Sequence, residues 1–259
     1  MNAVFVSLSQ AGLFLSRRLA KDLPARIYGH ENCTLHPGEI SFSSILQVAA
    51  DIFPVYSRIV FFVPAGVVVR ALSGLPRDKH FDPAIVQVDP AGRFAVSLLS
   101  GHEGGANELA FFVAGRLEAI PVVSTGSDVL RDIVVGVGCR RGTSGSHVHE
   151  CILSSLREEG VDPQRVRILA TAGCKRNEPG IYRAGERLGV PVHIVPDAEI
   201  RRKESLFTER ALVREKIGLP GVCEPAALLA GHRAELIGAR RLWPQVSVAI
   251  ARESFMWSE

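Results

Sequence analysis

The sequence predicts an α/β protein of two lobes, each a mostly parallel or mixed sheet flanked by helices. Three observations carry that expectation. Strand-like apolar runs alternate with helical segments almost from end to end, the pattern of strand–helix–strand units around a parallel sheet. Arg58 to Val63 (RIVFFV) is a near-continuous apolar run, the mark of a strand covered on both faces. The alternation also closes near Ser127 to Asp132 and then starts again, dividing the chain into domains over residues 1–128 and 132–259.

Taken in order, Ala3 to Leu8 is a β-rich opening, and Ala11 to Asp22 has helical spacing with Arg17, Arg18 and Lys21 on its wet side. From there to Ile59 the pattern assigns little. Ala84 to Val88 and Phe94 to Leu98 read as short strands. The turn residues Asp89-Pro90-Ala91-Gly92 join them, so an antiparallel hairpin at the sheet edge is expected. Asn107 to Leu117 is a helix and Pro121 to Ser124 a strand. The second cycle runs through a strand at Ile133 to Val137, a helix at Ser144 to Glu158 and a strand at Val166 to Ala170. A helix at Glu178 to Leu188 and a strand at Pro191 to Val195 follow. Helical segments at Thr208 to Ile217 and Cys223 to Ala230 precede a terminal hairpin near Glu235 to Arg240 and Gln245 to Ala251.

Composition bounds the function. With 47% hydrophobic and 22% charged residues over 259 positions, the chain has the balance of a globular protein with a real core. A net charge of +3, with Lys and Arg scattered, is too weak a basic signal for nucleic acid, yet it supplies the few cations a small polyanion needs. The five cysteines (Cys33, Cys139, Cys151, Cys174, Cys223) are widely spaced, odd in number and without a C-x-x-C pair. Reduced thiols in a cytoplasmic protein are the simpler reading than disulfides or structural zinc. The opening MNAVFVSLSQAGLFLSRRLA reads as a strand and an amphipathic helix, and no stretch approaches a membrane span.

Three polar loops stand between strands and helices, where ligands of open α/β sheets bind. In Ser100-Gly101-His102-Glu103-Gly104-Gly105-Ala106-Asn107 the glycines allow close backbone approach, and the following helix dipole favours an anion. A histidine in that cradle suits proton transfer, and the adjacent carboxylate suits orienting it. The alternative stays open: the glycines make a tight turn, Asn107 caps the helix and His102 is solvated. The second loop, Gly136 to Ser144, has G-x-G-x-x-x-G spacing in place of the dinucleotide fingerprint, so NAD is rejected. Its Arg140 and Arg141 make a fork for carboxylates or else a solvated pair, and Cys139 reads as a small buried residue. The third loop, Thr171 to Glu178, brings Lys175 and Glu178 to a helix start, as ligand contacts or as an ordinary charge pattern. His147 and His149 lie two apart on a helix, which sends their rings to different faces and argues against a metal.

These strings together resemble a known family. SLLSGHEGGANELA, preceded by VPAGVVVRAL and DKHFDPAIVQVD, resembles the amino-terminal domain of cobalt-precorrin-5A hydrolases. VVGVGCRRGTS, LATAGCKRNEPGI, GVCEPAALLA and VSVAIAR resemble the carboxy-terminal domain of the same enzymes, in the family's order over most of Ile59 to Arg252. The resemblance implies an enzyme of the anaerobic route to cobalamin, which opens the δ-lactone of cobalt-precorrin-5A and expels acetaldehyde to give cobalt-precorrin-5B. It implies no cofactor and no protein-bound metal, because cobalt arrives with the substrate. The partner is then an anionic cobalt-containing tetrapyrrole, with no nucleic acid and no membrane, and transient contact with neighbouring pathway enzymes is compatible with it. Longer members carry a middle segment, whereas here Thr125 to Val129 runs almost directly into Val134, a compact form.

For such a substrate, Arg140, Arg141 and Lys175 are expected on the peripheral carboxylates. His102 is the expected general base, Glu103 its orienting partner, and the N–H groups around Gly104, Gly105 and Ala106 an oxyanion hole. Ser100, Gly101, Asn107, Gly138 and Thr143 complete the expected binding residues. A non-catalytic tetrapyrrole carrier is the competing reading; it would keep the cations and need no base.

Overall fold

In the computed structural model the described residues are 3–255, apart from 79, 127–130, 208–214 and 216–217. They form two compact units, Met1–Thr125 and Gly126–Glu259.

Unit 1 contains β1 (Ala3–Ser7), α1 (Gln10–Ala20), β2 (Arg26–His30), β3 (Ile40–Phe42), α2 (Ile45–Ile52) and β4 (Arg58–Phe62), followed by α3 (Ala65–Ala71), β5 (Ala84–Val88), β6 (Phe94–Leu99), α4 (Ala106–Leu117) and β7 (Ile120–Val122). The strands make one sheet in the order β3-β2-β1-β4-β5-β6-β7. The first five run parallel, β6 turns back antiparallel on β5, and β7 runs parallel to β6. The expected hairpin is therefore present, but it is not the edge: the crossover through α4 lays β7 outside it.

Successive strand side chains point to opposite faces, and the core divides accordingly. Phe5, Val60 and Val86 pack with Leu19, Leu109 and Val113 on one face, while Val4, Val6, Ile59 and Phe61 pack with Val48, Ile52 and Val68 on the other. Phe5, Phe61 and Phe62 are fully buried, so truncating any of them to alanine would cost about 3–5 kcal/mol. At the start of α1, Ser9 accepts from Gly12 N at 3.1 Å, a normal N-cap. A Cβ on Gly12 would sit 2.8 Å from the Phe62 carbonyl, so glycine lets α1 lie close on β4.

Unit 2 contains β8 (Ile133–Cys139), α5 (Gly145–Glu158), β9 (Val166–Ala172), α6 (Pro179–Leu188), β10 (Val192–Val195) and α7 (Asp197–Arg202), then α8 (Cys223–Ala230), β11 (Glu235–Leu236), β12 (Arg241–Trp243) and β13 (Val246–Arg252). The sheet order is β10-β9-β8-β13-β11, with β12 also on β13. Strands β8 to β10 are parallel, and β13 pairs antiparallel to β8. The terminal hairpin is thus present with different bounds, its outer arm broken into β11 and β12 around Gly238 at φ +66°. The helix expected over Thr208 to Ile217 lies, Glu215 aside, outside the described residues.

Below the loops, Glu253 is 4% exposed and takes both arms of Arg167, at 2.6 and 2.7 Å. A bidentate pair of this kind is costly to break from one side, by about 3–5 kcal/mol. All five cysteines are free thiols. No helix among the described residues is long and apolar enough to cross a membrane.

Candidate functional site

The expected site residues fall into two groups, one in each unit. In unit 1, β6 runs into Ser100, which leaves the strand at φ +58°. Left-handed backbone is costly for a residue with a side chain and marks a forced turn. What forces it is visible in the hydrogen bonds. The Ser100 carbonyl accepts from both Gly104 N and Ala106 N at 3.1 Å, and the Gly101 carbonyl accepts from Asn107 N at 3.0 Å. The loop is wound tightly over Ser100, whose buried Oγ has no hydrogen-bond partner among the described residues.

The glycines answer to this winding. A Cβ on Gly104 would collide with Ser100, and one on Gly101 would stand 2.6 Å from Thr125 Cγ2 and 2.9 Å from Asn107 Oδ1. Gly105 takes φ +84° as the N-cap of α4. Asn107, expected among the binding residues with helix capping as the alternative, is 7% exposed and lies inside the first turn of the helix, where it acts as a latch. Its Oδ1 accepts from Ser97 Oγ at 2.8 Å and its Nδ2 donates to Thr125 Oγ1 at 3.1 Å. With its polar atoms so engaged, Asn107 shapes the loop from behind.

This corrects part of the expected oxyanion hole. Two of its donors, Gly104 N–H and Ala106 N–H, are already committed to Ser100. Among the described residues the Gly105 N–H has no protein acceptor, and it remains the candidate donor there. His102 and Glu103 are both exposed on the loop. The loop's place on the sheet also differs from a simple doubly wound fold. It lies beyond the carboxyl ends of β6 and β7, but because β6 is reversed, that is the amino end of β4 and β5.

Unit 2 follows the usual rule: its loops leave the carboxyl ends of the parallel strands β8, β9 and β10. Here Glu178, 8% exposed, is the organiser. Its Oε2 accepts from Gly142 N at 3.2 Å, and its Oε1 lies 3.9 Å from Lys175 Nζ. One carboxylate thus binds the loop after β8 to the loop after β9 and brings Lys175 beside the Cys139–Thr143 turn. Thr143, 6% exposed, donates its hydroxyl to the Arg140 carbonyl at 2.7 Å, a structural duty. Gly142 at φ +77° lets the turn close. Arg140 and Arg141 are left exposed at its crest. Asp197 fixes the loop after β9 in turn, accepting from Cys174 N at 3.0 Å.

Gly138, expected at the ligand, is buried within β8. A Cβ there would stand 2.8 Å from Ser247 Oγ and 3.2 Å from Val222 Cβ, so its reason is close packing. Gly136 similarly makes room for the Cys223 carbonyl of α8. The two thiols in these loops are poor nucleophiles. Burial, followed by the nearby Glu178, raises the pKa of Cys139, and burial beside Asp197 pushes Cys174 up to about 11. His147 donates Nε2–H to the Pro244 carbonyl at 2.7 Å. Among the described residues no group of three or more His, Cys, Asp or Glu side chains is placed to hold a metal ion.

The fold and these loops define the class: an α/β protein of two units, each raising a glycine-rich strand-to-helix loop, one carrying an imidazole and a carboxylate, the other a cationic crest. Residues 47–128 match the family model described as Cobalamin synthesis G N-terminal, and residues 133–251 match the one described as Cobalamin synthesis G C-terminus. The chain belongs to this cobalamin synthesis family.

Among its relatives is the cobalt-precorrin-5A hydrolase of Salmonella typhimurium, 25% identical over 89% of this chain and 92% of that protein. That alignment extends over 324 residues, more than the 259 of this chain, so the relative holds inserted segments that this chain lacks. The cobalt-precorrin-5A hydrolase of Priestia megaterium is 40% identical over 98 residues, 38% of this chain and 26% of that one. Among solved structures, CobE, a protein from the cobalamin biosynthetic pathway, is 34% identical, with a TM-score of 0.43 over 46% of this chain and 89% of that one.

Proposed function

We propose that this chain is a cobalt-precorrin-5A hydrolase, which opens the lactone of its substrate and releases acetaldehyde to leave cobalt-precorrin-5B. The observation that carries the reading is the presence of both family segments on one chain, in order, in a match spanning nearly all of a relative of that name. Cobalt is part of the substrate and enters as cargo. The reduced thiols and the biosynthetic role suit the cytoplasm.

The reaction needs an activated water, a place for the developing oxyanion and a hold on a carboxylate-edged ring. His102 accepts the proton of the attacking water, and Glu103 supports the imidazolium that forms; general-base help of this kind is worth roughly 10²–10⁴ in rate. Water adds to the lactone carbonyl, the ring C–O bond breaks, and a carboxylate and an alkoxide result. Gly105 N–H and the positive end of α4 face the developing charge. The alkoxide then collapses to a carbonyl as the adjacent C–C bond breaks, its electron pair passing into the conjugated macrocycle and acetaldehyde departing. Arg140, Arg141 and Lys175 contribute charge-assisted hydrogen bonds to peripheral carboxylates, each worth about 1.5–3 kcal/mol when well formed.

An anaerobic assay of the purified protein with cobalt-precorrin-5A tests this. Catalytic release of acetaldehyde is the expected result. A stoichiometric spectral shift with no acetaldehyde would make the protein a carrier of the intermediate.

A further inference from the structure

Because β6 runs antiparallel to β5, the end of β6 and the beginning of β5 share one end of the sheet, with Leu99 paired to Ile85. The loop carrying His102 therefore has a neighbour that the sequence reading did not assign to the site, Arg77, Asp78 and His80 to Pro83, leading into β5. A Cβ on Gly104 would stand 3.4 Å from the Asp82 carbonyl, so the two segments touch.

That segment is tightly built. The Asp82 carboxylate accepts from Arg77 N at 2.9 Å and Asp78 N at 3.1 Å, and Asp78 Oδ1 accepts from His80 N at 2.9 Å. The Asp78 carbonyl accepts from Phe81 N at 3.0 Å and Asp82 N at 2.8 Å. Upon this frame stands Phe81, 88% exposed, the most exposed large apolar side chain among the described residues; Leu206 follows at 70%. A phenyl ring so held in water gains nothing for the fold, since an exposed side chain buries no apolar area. It offers a flat apolar face on a segment that touches the loop carrying His102 and Glu103.

We propose that Phe81 is a binding residue of the same site, the platform on which the conjugated face of the tetrapyrrole stacks while its rim reaches the loop at His102. The inference rests on the function proposed above and adds to it the residue that recognises the flatness of the substrate. Aromatic rings recognise planar π systems by offset stacking, an interaction that survives loss of any single hydrogen bond. The cations of the protein select for charge at the rim, and Phe81 selects for a face.

The test uses the whole chain. Titration with cobyrinic acid, a stable cobalt corrin edged by free carboxylates, reads binding by absorbance, and acetaldehyde release from cobalt-precorrin-5A reads turnover. Phe81→Ala is expected to weaken binding and raise KM by about tenfold or more, with kcat within a few-fold of wild type and Tm unchanged. Phe81→Trp should restore affinity and Phe81→Leu only part of it. Unchanged affinity in Phe81→Ala overturns the platform while wild-type acetaldehyde release leaves the hydrolase reading intact. A fall in Tm with unaltered binding overturns it too, by giving the ring a packing role. Absence of acetaldehyde from the wild type, with Phe81-dependent binding retained, would overturn the hydrolase reading and keep the platform.

Discussion

The loop after β6 and the loop after β8 look alike as strings, both glycine-rich and both between a strand and a helix, but they are built in opposite ways. The first folds on its own backbone: one carbonyl, that of Ser100, gathers two amide donors, and the chain is bent through a left-handed serine to do it. The second is held by a side chain from elsewhere, the Glu178 carboxylate reaching across from the next strand–helix junction. Backbone winding leaves His102 and Glu103 exposed at the crest of the first, and the borrowed carboxylate leaves two arginines at the crest of the second. On the function proposed above, chemistry and grip would be divided between the two loops, and each could be damaged without the other.

The widest separation is expected from His102→Ala. Because His102 is exposed, the fold should be untouched and macrocycle binding kept, while kcat for acetaldehyde release falls roughly 10²–10⁴-fold. Wild-type turnover would remove His102 as the base. Arg140→Ala combined with Arg141→Ala should do the converse, weakening macrocycle binding by at least about tenfold with kcat nearly preserved. Unchanged affinity would make those arginines mere surface charge.

Glu178→Ala sharpens the contrast further. It leaves Gly142 N–H and Lys175 without their partner, so unit 2 should lose about 1–3 kcal/mol, seen in urea unfolding, and corrin affinity should drop as the cationic crest loosens. The smallest effect is expected from Ser100→Gly. Glycine relieves the left-handed backbone and removes the buried hydroxyl, so Tm should rise by a few degrees, corresponding to about 1 kcal/mol or less. A lower Tm would show that the serine side chain packs better than its backbone suffers.

Much of the fold was legible where one signal dominated. Ala84–Val88 and Cys223–Ala230 have the bounds their patterns predict, and Gly145–Glu158 begins directly after Ser144, whose hydroxyl caps it at 3.2 Å. Elements hid where signals conflicted. The β-branched run Val67 to Val69 disguises α3, and β2 has an exposed first residue and a glycine, Gly29, next to its end, so neither period is clean.

Within the site, the types of residue were readable and their duties were not. Gly138 and Gly142 sit four apart in one string, but the first answers to Ser247 and Val222 packed against β8 and the second to a positive φ. Only tertiary neighbours distinguish those reasons. Likewise nothing local marks Glu178 as the brace of a loop 36 positions upstream. The reversal of β6, which sets Asp82 against Gly104 in the loop carrying His102, is a matter of sheet order that no short string contains.

The amide of Asn107 bridges Ser97 in β6 and Thr125, while its backbone N–H grips Gly101. Thr125 is the last residue of unit 1. Tension on the chain as it leaves that unit is therefore relayed by the Asn107 side chain to the turn bearing the imidazole, so on the proposed function the length and stiffness of the connector would tune turnover from outside the residues that meet the substrate.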